Sequence, residues 1–370
     1  MFEPDAIHNS RNVTEALPHC VLSGIDSLYV SFYLDTANSL VDWDTLEFEK
    51  TTIRSERDRE IAEYELGCET FALMRYGKAP YRYILTNRDF KIMLSETNSP
   101  SCHIQFFSEG LWLRGLDGLL DRLDRWFVSL DLKQTREASV GRVDWAYDYD
   151  LPVADFNPDH ILTRANKDAS WRNHKSYQTL QVGSGDTLIR VYDKVAEIDE
   201  ASGKVFFFDL WGQKENVWRI EAQVRKNRLK KAGINTIDDV KELSGDLLHD
   251  LYHRHTTLRL PTEDSNQARW PIHPLWLALQ QEVATLPRTG LLEAYSPTNG
   301  FEYRRYCMGK SMAGYAKRMA FLEYMQSDGT QIPDHEWAIE SLGDLIRDHV
   351  RPETWQADIE KLITQERFGL

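Results

Sequence analysis

The segment LIRVYDK, residues 188–194, places three groups suited to phosphate chemistry at alternate positions. Its alternating apolar residues predict a strand, because successive side chains point to opposite faces of a sheet. One face would then carry Arg190, Tyr192 and Lys194. Such a row could be a solvated sheet edge. It could also hold an anion, with Tyr192 as a nucleophile and the two cations stabilising charge on a transferring phosphoryl group.

Carboxylates occur at the same alternate spacing in two further segments. In RVDWAYDYD, Asp144 and Asp148 share a face, and in WRIEAQVRK, Glu221 shares a face with Arg219. Carboxylate oxygens held on rigid strands suit a hard divalent cation such as Mg²⁺ or Mn²⁺, with room for a phosphate beside it. The two segments therefore predict a metal site that could bind a phosphodiester.

A fourth segment, CHIQFF, places His103 and Gln105 on one face, where a histidine and an amide could complete or orient a metal site. For any single strand of this kind, a purely structural role of the polar residues is commoner than a functional one. Tyr192 would then be an ordinary core or surface residue, His103 a satisfied histidine, and the carboxylates would face solvent. The coincidence of four such strands favours the functional interpretation, provided that they are neighbours in one antiparallel sheet.

The elements that would position these residues are short strands bounded by Gly, Pro, Asn or Asp. Turn residues at 77–80 and 183–186 predict two hairpins. Strands are predicted at 25–35, 69–77, 81–87, 102–107, 141–150, 178–184, 187–194 and 217–226. Helical periodicity predicts helices at 116–130, 157–168, 237–251, 274–286, 310–326, 334–349 and 353–367.

These elements predict an α+β protein. An antiparallel-sheet domain would occupy residues 1–232, and a helical domain would occupy residues 233–370. Thr236 would cap the first helix of the second domain. With 370 residues, of which 42% are hydrophobic, the chain can bury one large core or two smaller ones.

Composition and charge limit the possible functions. No apolar run approaches the roughly 20 residues of a membrane span, and the N-terminal segment lacks the pattern of a signal peptide, so we expect no membrane association. The four cysteines show no C-x-x-C spacing, which fits a reducing cytoplasm and favours neither disulfides nor a zinc site. The net charge of -14 argues against a general nucleic-acid coat, so any DNA contact must be local.

Two basic segments could supply such a local contact. The first, RKNRLKK, contains Arg225, Lys226 and Arg228. The second, at 302–318, interleaves tyrosines with cations, and a solvated helix face is an equal alternative for it. Its cations are Arg304, Arg305, Lys310, Lys317 and Arg318.

The order RVDWAYDYD, QTLQVGSGDTLIRVYDK, WRIEAQVRK resembles the replication initiation factors of the Rep_trans type. These proteins initiate rolling-circle replication of small plasmids and of some filamentous phages, and related relaxases act in conjugative elements. The resemblance is specific over residues 140–226 and looser over 25–110, and no motif matches after residue 232. It implies an antiparallel-sheet nicking domain of the rolling-circle nuclease type.

The resemblance also implies roles for individual residues. Tyr192 matches the nicking tyrosine, Asp144 and Glu221 match metal ligands, and Asp148 is a weaker match. The cations that would face phosphate are Arg190, Lys194 and Arg219.

One strand departs from the family pattern. Where plasmid members have an acidic residue in RIEF, this chain has HIQF, so Gln105 replaces a carboxylate. The pair of His103 and Gln105 is also similar to the His-hydrophobe-Gln metal strand of the wider group of rolling-circle nucleases. The third metal ligand therefore stays open.

From the resemblance we expect a DNA-nicking initiator in the cytoplasm of a bacterial host. It would cleave one origin strand with Tyr192 and a Mg or Mn ion, form a 5′-phosphotyrosine intermediate, and rejoin the strand after synthesis. Its partners would be single-stranded DNA and double-stranded origin DNA, the latter bound by the helical domain. The family also implies a host helicase and often a homodimer. The alternatives are a relaxase of a conjugative element and a DNA-binding regulator that needs no nucleophile.

Overall fold

The structure, a computed structural model, describes residues 17–55, 61–152, 157–173, 176–290, 297–327 and 331–368. The strands are β1 (His19–Asp35), β2 (Ile61–Leu66), β3 (Glu69–Met74), β4 (Tyr83–Thr86), β5 (Phe90–Leu94), β6 (Cys102–Phe106), β7 (Lys133–Asp150), β8 (Ile161–Thr163), β9 (Asp168–Asn173), β10 (Ser176–Ser184), β11 (Thr187–Asp193), β12 (Val217–Arg225) and β13 (Thr256–Leu258). The helices are α1 (Trp43–Ser55), α2 (Ser108–Ser129), α3 (Lys194–Glu197), α4 (Phe206–Trp211), α5 (Lys226–Lys231), α6 (Ile237–Asp250), α7 (Pro274–Ala284), α8 (Pro297–Gln326), α9 (His335–His349) and α10 (Pro352–Phe368).

Eleven of these strands form one antiparallel sheet, in the order β2-β3-β4-β5-β6-β1-β7-β12-β11-β10-β9. The remaining two, β8 and β13, pair with each other. The four strands that carry the predicted site residues, β6, β7, β12 and β11, lie together in the sheet, with β1 between β6 and β7. The predicted antiparallel neighbourhood of these strands is therefore confirmed.

One face of the sheet is apolar and is covered by helices. On β7, Val143, Trp145 and Tyr147 are buried in the main core, while the residues between them project from the opposite face. Leu123 of α2 and Trp276 of α7 join the same core. The opposite face is left for polar side chains, which is where the candidate site lies.

The chain divides into two compact units, residues 1–294 and 295–370. The predicted boundary at residue 232 does not coincide with this division. The physical reason is that α6 and α7 bury Leu247 and Trp276 in the core that contains Trp145 and Tyr147. The second unit consists of α8, α9 and α10, so a helical C-terminal region is present but begins later than predicted.

Most predicted elements are confirmed. Each predicted strand has a counterpart in the sheet, and Gly185 takes the left-handed φ of +74° in the turn between β10 and β11. Thr236 caps α6 in a capping box with Asp239. The predicted helix at 157–168 is wrong. A single turn at Pro158–His160 is followed by β8, because this segment pairs with β13.

Five strands lacked a prediction: β2, β5, β8, β9 and β13. Three of them, β2, β5 and β9, belong to the large sheet, and β8 and β13 are three-residue strands that pair with each other. None of the helices in the described residues has both the length and the apolar character needed to cross a lipid bilayer.

Candidate active site

Tyr192 lies near the end of β11 and projects from the polar face of the sheet. Its hydroxyl donates a 2.9 Å hydrogen bond to Oε2 of Glu221 on the neighbouring strand β12. Burial, reinforced by the negative charge of Glu221, raises the pKa of Tyr192 well above its ordinary value. In the free protein Tyr192 is therefore a neutral phenol, with a carboxylate placed to take its proton.

The carboxylate of Glu221 has a second partner. Arg190 lies directly opposite Glu221 in the β11–β12 register, and its Nη1 donates a 2.6 Å hydrogen bond to Oε1 of Glu221. Its Nη2 lies 3.4 Å from Oε1 of Gln223. Each oxygen of Glu221 is thus occupied, one by the tyrosine and one by the arginine.

Asp144 on β7 is the second carboxylate of this face. It lies opposite Gln223, and Arg142 holds it through a 2.7 Å hydrogen bond from Nε to Oδ1 and a second one from Nη2. Burial raises the pKa of Asp144 to about 6, and the negative charge of Glu221 also raises it. The hydrogen bonds from Arg142 act in the opposite direction and lower this pKa. Glu221 and Asp144 are close enough to repel each other, each with its own arginine.

These residues line a cleft of about 660 Å³. Lys194 also lines it, although Lys194 begins helix α3 rather than continuing the strand as predicted. The change from strand to helix is fixed by Asp193, whose side chain accepts a 3.0 Å hydrogen bond from the amide of Ala196. Lys194 pairs with Glu197, and its ammonium lies 5.8 Å from the centre of the Tyr192 ring. Burial, together with the positive charge of Arg219, lowers the pKa of Lys194.

Three predicted site residues lie outside the cleft: Arg219, Asp148 and His103. Arg219 is fully buried, and its Nε and Nη2 donate hydrogen bonds of 2.6 and 2.8 Å to the two carboxylate oxygens of Asp148. Its Nη1 donates a 2.8 Å hydrogen bond to Asp26 on β1. The predictions of Arg219 as a phosphate-facing cation and of Asp148 as a metal ligand are therefore corrected, because each satisfies the other in a buried ion network.

His103 is also separated from Tyr192. It lines a neighbouring cavity, where its Nδ1 lies 2.9 Å from the hydroxyl of Ser31 and its ring stacks on Tyr81. Burial, together with the positive charge of Lys78, lowers the pKa of His103. Gln105 lines both cavities, so of the HIQF strand only the glutamine reaches the cleft.

The donor atoms of the cleft can be compared with the needs of a divalent cation. Across the described ranges, no three His, Cys, Asp or Glu side chains are grouped closely enough to form a complete metal site. Asp144, Glu221 and Gln105 nevertheless offer oxygen atoms to one cleft. Mg²⁺ is usually bound through one or two carboxylates, with water and substrate phosphates completing its shell. The donor set fits a hard cation of that kind.

The basic segments predicted to bind DNA lie in different places. Arg225 lines the cavity that contains His103, Lys226 is exposed, and Arg228 pairs with Asp250 at 2.7 Å. On α8, four of the predicted cations are exposed: Arg305, Lys310, Lys317 and Arg318. The side chain of Arg304 lies outside the described residues.

Several residues of the cleft were not predicted. Asp26 accepts hydrogen bonds from Ser108 Oγ, Trp112 Nε1 and Arg219. Burial would raise the pKa of Asp26, but the charge of Arg219 holds it below its ordinary value. A single aspartate inside the apolar strand IDSLYV was the sequence signal for this buried group. Lys204, which also lines the cleft, lies in a loop and had no such signal.

The chain is similar in structure to a solved protein. No family model matches the chain, and no curated protein matches it. Two chains among the solved structures match it. One is described as a rolling circle replication initiator protein from Geobacillus stearothermophilus. It is 21% identical, with a TM-score of 0.43, and the match covers 73% of this chain and 99% of that one.

Proposed function

We propose that this protein nicks and rejoins one strand of DNA at a replication origin, as a rolling-circle initiator. The observation that carries the proposal is the hydrogen bond from the hydroxyl of Tyr192 to Glu221 in a cleft that also holds Arg190, Lys194 and Asp144. A phenol beside a carboxylate is an activated nucleophile, and two cations beside it suit a phosphodiester. The motifs that resemble those of Rep_trans initiators support the same reaction.

In the proposed reaction, Oη of Tyr192 forms a bond to phosphorus while its proton passes to Oε2 of Glu221. The bond between phosphorus and the 3′-oxygen breaks, and the departing 3′-oxygen takes a proton from solvent water and leaves as a free hydroxyl. The 5′ phosphate stays attached to Tyr192. Rejoining is the reverse reaction, in which a 3′-hydroxyl attacks the phosphotyrosine and Tyr192 regains its proton. Arg190 and Lys194 stabilise the charge on the phosphoryl oxygens.

A Mg or Mn ion would be held by oxygen atoms of Asp144, Glu221 and Gln105. Such an ion, when bound, polarises a phosphoryl oxygen and stabilises the charge that develops on it. Glu221 has one oxygen for the ion and one for the tyrosine proton. Arg142 and Arg190, which neutralise the two carboxylates in the free protein, would then be available to the phosphate.

We further propose that α8 contacts double-stranded origin DNA. Its exposed cations Arg305, Lys310, Lys317 and Arg318 supply local positive charge in a protein of net charge -14. Phosphate contacts by such residues give affinity without sequence preference. Sequence recognition would come from other side chains of the same helix.

The test is covalent capture of DNA. Purified protein is mixed with single-stranded DNA from its own replicon, with and without Mn²⁺, and run on a denaturing gel. We expect a shifted, metal-dependent band that is absent with Tyr192→Phe. Tyr76→Phe is the matched control, because Tyr76 is exposed and lines neither the cleft nor the cavity that contains His103, and it should retain the band.

Two outcomes would overturn the proposal. An adduct that survives in Tyr192→Phe would place the nucleophile on another residue. DNA binding by folded protein with no adduct under any metal condition would identify a regulator that needs no nucleophile.

A further inference from the structure

A second cavity, of about 420 Å³, adjoins the cleft on the same face of the sheet. The two cavities share Tyr29, Gln105 and Arg142 as lining residues. Beyond these, the second cavity is lined by the cations Lys78, Lys91 and Arg225. A continuous polar surface therefore leads from Tyr192 to a cluster of positive charges.

Five of these residues form one row across the sheet. Each is directly opposite the next in the strand register, and together they span β5, β6, β1, β7 and β12. Side chains directly opposite each other on one face have Cβ atoms roughly 4.5–5.5 Å apart. In order, the residues of this row, called here the basic row, are Lys91, Gln105, Tyr29, Arg142 and Arg225.

The charge of the second cavity is unbalanced. None of the described residues that line it is an aspartate or a glutamate. Within the part of the chain that the structure describes, no ion pair engages the side chains of Lys78, Lys91 or Arg225. In a protein with 58 acidic and 44 basic residues, three cations thus lie together with no ion-pair partner among the described residues. Such a site selects an anion.

The ring of Tyr29 forms part of the lining of the second cavity and contacts two of its neighbours. The guanidinium of Arg142 lies 4.9 Å from the centre of the Tyr29 ring, and the ring of His103 lies 6.2 Å from the same ring. The contact with Tyr29 and the hydrogen bonds to Asp144 hold Arg142 in place. The residues of the basic row lie on five paired strands, so an extended polyanion could lie across them.

The distance along the sheet between Arg225 and Tyr192 suits an extended polyanion. Arg219, opposite Tyr192, and Arg225 lie six positions apart on β12. At about 3.3 Å per residue, the backbone of Arg225, at the end of the row, is on the order of 20 Å along the strand from the level of Tyr192. That distance spans several nucleotides of an extended strand and exceeds the reach of a single phosphate.

We infer that the basic row and Lys78 bind the phosphodiester backbone of the same single strand of DNA whose scissile phosphate lies at Tyr192. The inference rests on the proposed function for the identity of the ligand. The row would set the position of the strand along the sheet, so that one particular phosphate reaches the cleft. Lys78, Lys91 and Arg225 act here as positioning residues.

The test measures how salt affects binding of a fluorescein-labelled oligodeoxythymidylate, followed by anisotropy. Each phosphate contact to a single strand contributes about 0.7 to the slope of log affinity against log salt. The variant Lys91→Ala/Arg225→Ala should therefore lose about 1.4 from this slope. The matched control, Arg125→Ala/Lys214→Ala, removes the same charge from exposed residues that line neither cavity and should keep the wild-type slope.

Equal slopes for the two double variants would overturn the inference. Displacement of the oligonucleotide by polyglutamate at the same charge concentration would also overturn it, by assigning the row to acidic peptides. Covalent adduct formation separates this result from the proposed function. If wild-type protein forms the adduct and the slopes are equal, only the inference fails. If the slope falls as expected and no protein forms an adduct, only the nicking reaction fails.

Discussion

Tyr192 and Arg219 lie directly opposite each other on β11 and β12, yet only the tyrosine reaches the cleft. Arg219 points beneath it, between Asp148 of β7 and Asp26 of β1, with the ring of Phe207 4.5 Å from its guanidinium. Arg219 thus ties the three strands β12, β7 and β1 together. Its role is to hold the floor on which Tyr192 rests.

Replacing Arg219 with methionine should destabilise the fold strongly. Two buried carboxylates would lose their counter-charge, which costs about 3–5 kcal/mol in unfolding free energy. Urea unfolding of Arg219→Met measures the loss. In the control Arg82→Met, an exposed arginine loses its pair with Glu47, and the change should stay below about 1 kcal/mol. Comparable losses in both variants would contradict the structural role of Arg219.

Replacing Glu221 with glutamine should slow adduct formation while DNA binding is retained. The amide still occupies the site but cannot take the proton of Tyr192, and loss of a general base typically costs about 10²–10⁴ in rate. Single-turnover gels measure the rate. Glu109→Gln, which removes another carboxylate from the same cleft, should leave the rate close to that of the wild type. If both variants react at the same rate, Glu221 is not the proton acceptor.

Binding of Mn²⁺ should raise the melting temperature of the protein, and a chelator should reverse the rise. A ligand that binds only the folded state at a concentration 100 times its dissociation constant adds about 2.7 kcal/mol of stability. Asp144→Asn should abolish the rise, because it removes a carboxylate of the cleft. His103→Gln should keep it, because His103 lines the other cavity. A rise that depends on His103 would contradict this placement of the ion.

The position of the domain boundary can be tested by truncation. A fragment ending at Ala294 should unfold cooperatively, whereas one ending at Ala232 should not. The shorter fragment lacks α6 and α7, whose Leu247 and Trp276 fill the core against the sheet. Circular dichroism and limited proteolysis distinguish the two cases. A cooperative transition in the shorter fragment would restore the boundary predicted from the sequence.

The sequence was sufficient to predict the strands that carry the cleft. Period-two alternation identifies which side chains share a face, so Arg190 and Tyr192 on β11, Glu221 on β12 and Asp144 on β7 were assigned to one surface. Alternation does not show whether a charged side chain on that surface points to solvent or into a buried ion pair. For this reason Arg219 and Asp148 were assigned to the cleft, although they satisfy each other beneath it.

Sequence patterns could not predict contacts between residues that lie far apart along the chain. Asp26 accepts a hydrogen bond from Arg219, although the two residues are 193 positions apart in the sequence. No local pattern links them. The change from strand periodicity to helical periodicity after residue 231 was interpreted as a domain boundary. Whether helices form their own core or cover an existing sheet depends on tertiary packing, and here α6 and α7 cover the sheet.

The two arginines that hold Asp144 and Glu221 have a consequence for how the protein matures in the cell. Because Arg142 and Arg190 already neutralise these carboxylates, the cleft assembles without waiting for an inorganic ion. The chain can therefore complete its fold where free divalent ions are scarce. Under the proposed function, ion and DNA would then bind a site that is already formed, and nicking would require the ion while folding would not.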